Sequence, residues 1–196
     1  MKLTESFYER TNVVKIAREL LGKCLFANSD GVITSGMIIE TEAYSWKERG
    51  CHAYDGRMTS RNKIMFDRGG HAYVYLCYGV HNLFNVVTNR KGIADAVLIR
   101  AIEPVSGLDE MKKRRGDLQN PYHLTSGPGK LTKALGIDRS FNGKFLLNHD
   151  VWIEDIGERV SGKQIVTSKR IGIDYAGKDA KLPWRFTVKG NKWVSK

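Results

Sequence analysis

The chain has 196 residues, which is enough for one domain with a substantial hydrophobic core. It carries 32 Lys and Arg against 21 Asp and Glu, so its formal net charge is +11. Such a charge is typical of nucleic-acid-binding proteins, although an ordinary basic surface gives the same balance. The three cysteines, an odd number without C-x-x-C spacing, argue against a disulfide framework and a structural zinc site. The cysteines fit a reducing cytoplasm, where we expect the protein. No apolar run reaches the roughly 18 residues of a membrane span, so we expect no membrane partner.

The first elements are predicted from apolar spacing and turn residues. Asn12 can cap a helix over residues 13–21, where apolar side chains recur three to four residues apart. Residues 23–27 and 32–44 then read as two strands. The connecting residues 28–31, Asn-Ser-Asp-Gly, are suited to a hairpin turn.

The middle of the chain predicts an antiparallel meander. A long polar loop over residues 45–60 precedes strands at residues 71–78, 82–88 and 95–103, which are separated by short Gly- and Asn-containing turns. Polar loops of this length in compact domains are often functional.

Further helices and strands follow the meander. Residues 108–115 read as a short charged helix with a basic end. Residues 126–130, Ser-Gly-Pro-Gly-Lys, read as the capped start of another helix, where backbone N–H groups and Lys130 could meet a phosphate. Residues 151–155 and 164–167 read as strands. We therefore predict an α+β fold over residues 1–196 as a single domain, with a mixed, mainly antiparallel curved sheet, surrounding helices and a protruding hairpin.

Two carboxylates fall on one face of the strand that ends at Tyr44. Because side chains alternate along a strand, Glu40, Glu42 and Tyr44 project together, while Ile39, Thr41 and Ala43 project from the other face. One carboxylate could serve as a general base. The alternatives are a surface strand edge or a salt bridge to an arginine.

A second strand is rich in tyrosine. Ala72, Val74 and Leu76 share a face suited to the core, while Tyr73 and Tyr75 share the opposite face. Tyrosines on a polar face can stack nucleobases, at about 1–3 kcal/mol per base. They are also ordinary strand formers at half-buried positions.

Four further side chains add to this pattern, and three of them also have an ordinary structural alternative. Tyr78, beside a glycine at the predicted hairpin tip, could protrude as a wedge into a base stack. Arg100 could keep Glu42 ionised, or form a structural ion pair, or both. His52 could donate to a base ring atom or be merely solvated, and Asn85 could read base edges or bond to the strand ladder.

The motifs taken together resemble the alkyladenine (3-methyladenine) DNA glycosylase family. The resemblance runs in order from about residue 20 to the C-terminal tail. It is carried by Glu40-Thr41-Glu42-Ala43-Tyr44, His52, Arg57 with Thr59, Arg61-Asn62, Met65-Phe66, Tyr73-Val74-Tyr75, Tyr78-Gly79, Asn85, Val97-Leu98-Ile99-Arg100-Ala101, Glu103-Pro104, Ser126-Gly127-Pro128 and Trp193-Val194-Ser195. Val80-His81 and the loop at residues 46–49 depart from the family pattern.

The resemblance implies a monofunctional glycosylase of base excision repair. Such an enzyme flips a damaged purine from double-stranded DNA and hydrolyses its N-glycosidic bond. Glu42 matches the general base that activates water, and Arg100 matches the arginine that supports the water and the carboxylate. The implied lesions are 3-methyladenine and, beyond it, 7-methylguanine, hypoxanthine and ethenoadenine. We expect a monomer that uses no cofactor or metal and associates with the nucleoid when acting.

The resemblance also assigns the base pocket. Tyr44 and Tyr75 match the two rings that sandwich the base, and His52 matches a side chain that hydrogen-bonds to it. Asn85 matches the residue that disfavours the amino group of normal guanine, and Tyr78 matches the intercalating tyrosine.

Two other classes of function fit parts of the sequence. A non-catalytic RNA- or DNA-binding domain needs only the charge of +11 and stacking tyrosines, and in that case Glu42 is dispensable. A glycosidase of free nucleosides shares the carboxylate chemistry but needs neither a basic face nor a wedge. Base release that depends on duplex DNA would distinguish a DNA glycosylase from both of these alternatives.

Overall fold

The computed structural model describes residues 1–196 as an α+β fold around one eight-stranded sheet. The α-helices are α1 Glu5–Tyr8, α2 Val13–Glu19, α3 Leu108–Arg115 and α4 Pro128–Leu135. The strands are β1 Cys24–Ser29, β2 Val32–Tyr44, β3 Ala72–Cys77, β4 His81–Thr88, β5 Asp95–Ser106, β6 Val151–Glu154, β7 Ile165–Ser168 and β8 Arg185–Val188. These elements confirm the predicted fold class. No helix is long and apolar enough to cross a membrane.

The sheet is antiparallel at every strand pairing, in the order β3-β4-β5-β2-β1-β6. The second half of β2 extends beyond β1, and β8 pairs there instead, with Glu40 opposite Thr187 and Glu42 opposite Arg185. Strand β7 then pairs with β8. Strand β8 was not predicted from the sequence, and it brings the C-terminal part of the chain beside the two carboxylates.

Local sequence signals correctly predicted most of the helices, strands and turns in the N-terminal half of the chain. Asn12 accepts a hydrogen bond from the Lys15 backbone N–H and so caps α2, as predicted. Asp30 and Gly31, with φ of +53° and +82°, form the two-residue turn between β1 and β2. Both positive φ values are those of the turn type that matches the twist of a hairpin, which explains the Asp-Gly sequence.

Most of the hydrophobic core lies between the sheet and the helices, and a second core supports the other face. Ala72 and Val74 pack in the main core, while Tyr73 packs in the second core, as the alternation predicted. Leu76 does not follow it: 39% of its surface is exposed, because β3 and β4 leave the core there as a hairpin. The second core comprises Cys51, Ala53, Met65, Tyr73, Val87, Ala94 and Ala96, with Tyr44, Trp46 and Tyr75 packed against it.

An irregular register sets the direction of the side chains in the centre of the sheet. Ile38 pairs with Ile102 and Glu40 with Ala101, so Ile39 has no partner on β5. The next residue of β2, Thr41, pairs with Ile99, so Arg100 has no partner on β2. Extra residues of this kind bend a strand and re-aim its side chains, and they are common next to active sites. The bulge thus places Arg100 where it can reach the carboxylates.

Candidate active site

Seven of the eight predicted site residues line one cavity of about 880 Å³. They are Tyr44, His52, Tyr75, Tyr78, Asn85, Arg100 and Lys130. The eighth, Glu42, has no exposed surface, but its carboxylate bonds to three residues of the cavity wall. Residues 44–130 of the sequence therefore converge on one aromatic and basic cavity next to a buried acid.

The Glu42 carboxylate is held by three groups from different segments. Tyr44 donates its hydroxyl to Oε2 at 2.7 Å, and the Ile171 backbone N–H donates to Oε1 at 2.8 Å. The Arg100 Nη1 atom lies 3.4 Å from Oε1. The alternative of an exposed strand edge is wrong, since Glu40 and Glu42 are both fully buried.

Burial is the dominant influence on the acidity of Glu42. Loss of solvent raises the pKa of its carboxyl, and the Glu40 charge adds to the rise, while Arg100, the Tyr44 hydroxyl and the Ile171 N–H oppose it. One prediction from the sequence was that Arg100 keeps Glu42 ionised. The arginine does form that ion pair, but it only partly offsets the cost of burial. A carboxylate with a raised pKa is a stronger base than a solvated one.

Aromatic rings of β3 and of the loop before it form one wall of the cavity. The ring centroids of Tyr73 and Tyr75 lie 5.3 Å apart, and His52 lies edge-on to Tyr75 at 4.6 Å. The Arg61 guanidinium lies over Tyr75, 4.9 Å from its centroid. These three neighbours hold the Tyr75 ring in place where it lines the cavity, and an aromatic ring held this way is suited to stack on a planar group.

His52 is not a merely solvated loop residue, although part of its surface is exposed to the cavity. Its Nδ1 atom lies 2.8 Å from the Tyr73 hydroxyl, and the Asn62 side chain donates to its backbone carbonyl at 2.8 Å. Burial, with a smaller contribution from the Arg61 charge, lowers the pKa of His52 to about 4. The imidazole is therefore neutral at pH 7 and offers the cavity one donor or one acceptor.

Asn85 lies on β4, 4% exposed, with its amide nitrogen donating to the Tyr73 backbone carbonyl at 3.1 Å. This contact agrees with the alternative of a bond to the strand ladder. Because the nitrogen is committed to the sheet, a role for Asn85 against the cavity would depend on its oxygen and its bulk.

The hairpin between β3 and β4 protrudes at the mouth of the cavity. Tyr78 is 89% exposed and has a φ of +50°, followed by Gly79 at +71°. The base of the hairpin rests on the start of α4, where the Thr132 hydroxyl donates to the Asn82 carbonyl at 2.7 Å. A Cβ atom on Gly129 would come within 2.8 Å of the His81 ring. A glycine there lets the hairpin pack directly on the helix that carries Lys130.

A buried ion pair behind the cavity was not predicted from the sequence. Arg170 binds the Glu48 carboxylate through Nη1 at 2.6 Å and Nη2 at 2.8 Å. Its guanidinium also lies 4.7 Å from the Tyr44 ring centroid and donates to the Ala43 carbonyl at 2.8 Å. Arg170 thus fixes the back of the Tyr44 ring and places the next residue, Ile171, against Glu42. No local pattern links residues 122 positions apart.

The predicted start of α4 agrees with the structure only in part. Helix α4 starts at Pro128, but Gly127 occupies the cap position and no side chain caps the helix, contrary to the capped start that was predicted. No three His, Cys, Asp or Glu side chains are grouped as potential metal ligands.

The fold and the cavity define a basic α+β protein with a buried acid beside an aromatic cavity, and comparison with known proteins gives its family. The family model of methylpurine-DNA glycosylase matches residues 6–192. A Carboxydothermus hydrogenoformans protein named "Putative 3-methyladenine DNA glycosylase" is 48% identical over 196 residues, 100% of both chains. Proteins with the same name from Chlamydia felis and Methanoculleus marisnigri are 47% identical over 188 residues, 95% of each chain, and 45% identical over 198 residues, 100% of each chain. The chain belongs to the methylpurine-DNA glycosylase family.

The lowered pKa of His52 predicts an acid-dependent loss of stability. Between pH 6.5 and about 4 the unfolded chain binds a proton at this residue that the folded chain does not. The stability that His52 contributes is present above pH 6.5 and is lost as the pH falls toward 4. We expect the free energy of unfolding of His52→Gln, measured in urea, to fall less between pH 7 and 4.5 than that of the wild type. Equal decreases in both proteins would contradict the prediction.

The Glu48–Arg170 pair predicts a large stability effect. Arg170→Met leaves a carboxylate that is 3% exposed without its partner, which we expect to cost about 3–5 kcal/mol in the free energy of unfolding. Glu48→Leu combined with Arg170→Met removes both charges and should recover much of the loss. Urea unfolding of the single and double variants measures this recovery. A double variant no more stable than Arg170→Met would show that the isolated charge is not the cause.

Proposed function

We propose that this protein is a monofunctional DNA glycosylase that releases methylated purines from double-stranded DNA by hydrolysis. Its family supports DNA glycosylase activity on methylated purines, and the names of the relatives point to 3-methyladenine. The observation that carries the mechanism is the buried Glu42 carboxylate, in contact with Tyr44, Arg100 and Ile171 of the cavity wall.

Glu42 acts as the general base in this proposal. It takes a proton from a water molecule whose oxygen attacks C1′ of the sugar, and the bond from C1′ to the base nitrogen breaks. The electron pair of that bond leaves with the purine. A purine that carries positive charge from alkylation departs as a neutral base and needs no proton, whereas hypoxanthine would need protonation to leave at a comparable rate.

The cavity receives the base after it leaves the duplex. Extruding a base costs a few kcal/mol, and stacking contributes about 1–3 kcal/mol per base, so rings on both faces can offset most of the cost. Tyr44 and Tyr75 are the stacking rings in this proposal, and His52 hydrogen-bonds to the base edge. Asn85 limits the space for an exocyclic amino group. Tyr78, 89% exposed, occupies the vacated position in the stack.

The basic surface supplies affinity for the duplex. The formal charge is +11, and the last turn of α3 contains four consecutive basic residues, 112–115, of which Arg115 lines the cavity. Lys130 lies in the first turn of α4 and lines the same cavity. Helix starts and basic side chains are both suited to DNA phosphates, so we assign Lys130 to the DNA backbone.

The proposal predicts that Glu42→Gln loses base release but retains binding. Glutamine keeps the size and accepts hydrogen bonds, but it cannot take a proton from water. We expect the single-turnover rate of 3-methyladenine release from a defined duplex to fall by about 10²–10⁴-fold or more, with the Kd for the damaged duplex nearly unchanged. Glu158→Gln, which changes an exposed carboxylate outside the cavity, is the matched control and should behave as the wild type.

The same assay separates the rival functions. A non-catalytic nucleic-acid-binding protein releases no base from any duplex, with or without Glu42. A nucleoside hydrolase cleaves free 3-methyladenosine at least as fast as the duplex. Equal loss of binding and activity in Glu42→Gln would instead assign Glu42 a structural role.

Hydrolysis by water predicts no covalent enzyme–DNA intermediate. A lysine nucleophile would form a Schiff base that borohydride reduces to a stable adduct. We expect no such adduct with the wild type on a duplex that it processes, as judged by denaturing electrophoresis. A trapped complex would overturn the monofunctional assignment.

A further inference from the structure

Glu40, the second carboxylate of β2, lies in a dense hydrogen-bond network near the cavity. It is fully buried and receives four hydrogen bonds. Its Oε1 atom accepts from Arg100 Nε at 2.9 Å, Arg185 Nε at 2.7 Å and the Ser195 hydroxyl at 2.8 Å, and its Oε2 atom accepts from the Ser195 backbone N–H at 2.8 Å. Four donors and no acceptor surround it, which is the environment of a carboxylate anion.

The donors of Glu40 also bond to one another. The Arg185 Nη2 atom donates to the Ser195 backbone carbonyl at 3.0 Å, and the Arg100 Nη2 atom lies 3.4 Å from the Ser195 hydroxyl. Ser195 is 8% exposed although it is the second-last residue of the chain. The C-terminal segment therefore closes a buried network that starts in the centre of the sheet.

This network fixes the orientation of the Arg100 guanidinium. Glu40 holds Nε and Ser195 holds Nη2, so Nη1 is the nitrogen left to approach Glu42, at 3.4 Å. A planar guanidinium held at two nitrogens cannot rotate without breaking a contact. The third nitrogen thus has a set position beside the carboxylate that we assign as the base.

We infer that Glu40 and Ser195 are positioning residues for the glycosylase reaction: they orient Arg100 toward Glu42, and the Glu40 charge preserves the basicity of Glu42. The inference rests on the proposed function of Glu42. It extends that function to the C-terminal segment, which touches neither the cavity nor the reacting atoms.

Charge balance explains why a second carboxylate is needed. Arg100 contacts both carboxylates, whereas the Arg185 side chain bonds to Glu40 and to the Ser195 carbonyl. The other groups that face Glu42 are Tyr44, the Ile171 N–H and the adjacent Arg170. Without a second anion, the Arg100 guanidinium would have Glu42 as its only carboxylate partner, would stabilise the Glu42 anion more strongly and would make it a weaker base. Glu40 accepts from both guanidiniums, and its charge contributes to the raised pKa of Glu42.

The pH dependence of base release tests the charge effect. The rate rises with pH as Glu42 loses its proton, so the midpoint of the acidic limb reports its pKa. We expect Glu40→Gln to move that midpoint down by about one pH unit, because a neighbouring negative charge is lost, and to lower the plateau rate at least tenfold. Ser195→Ala removes a hydrogen bond but no charge, so its midpoint should move less while its plateau falls severalfold. Ser195→Thr keeps the hydroxyl, so its plateau rate of base release should be close to that of the wild type.

The controls distinguish positioning from general damage. The Kd for the damaged duplex should not change in Glu40→Gln or Ser195→Ala, since neither residue lines the cavity. Ser6→Ala, on the exposed surface, is the matched serine control and should behave as the wild type. If Glu40→Gln does not fold, Ser195→Ala and Ser195→Thr carry the test. A Ser195→Ala plateau equal to that of the wild type would overturn the inference.

A measurement without DNA separates this inference from the proposed function. The side-chain carboxyl ¹³C shift of Glu42 can be titrated by NMR in the wild type and in Glu40→Gln. A lower midpoint in Glu40→Gln supports the inference whether or not a methylated purine is released. An unchanged midpoint overturns it, even if the wild type proves to be an active glycosylase.

Discussion

The centre of this structure is constrained by two carboxylates, Glu40 and Glu42, buried two residues apart on one strand. A buried anion without donors is costly, so the fold must bring hydrogen-bond donors and positive charge to this point. Arg100 lies at a bulge in β5, Arg185 lies on β8, and Ser195 lies in the C-terminal segment. Because these donors come from three separate segments, the two carboxylates connect the centre of the sheet with β8 and with the C-terminal segment.

Much of the framework around these carboxylates could be predicted because its signals are local. The Asp30-Gly31 turn follows from the positive φ that a two-residue hairpin requires, and Asn12 capped its helix as expected. The polar face of β2 and the tyrosines of β3 followed from strand alternation. The convergence of these side chains on one cavity was expected from the family resemblance, since spacing alone does not place separate strands side by side.

The parts that could not be predicted depend on contacts between distant residues. The unpaired positions of Ile39 and Arg100 come from a mismatch in register between two strands, which neither strand shows by itself. Ser195 reaches a partner 155 residues away, and Arg170 reaches Glu48 across 122 residues. Leu76 continues the apolar alternation of β3, but the hairpin leaves the core before that alternation can bury it.

In the proposed function, the aromatic wall binds the base, and the acid–base groups of the site determine which bases are released. Stacking on tyrosine tolerates any base, so the aromatic wall alone gives little selectivity. His52, with its pKa lowered to about 4, is neutral and a poor proton donor at pH 7. If Glu42 is the base, as proposed, a site with a strong base and no strong acid would favour purines that already carry positive charge. Under that proposal, selectivity for alkylated purines would follow from the chemical step as much as from the shape of the cavity.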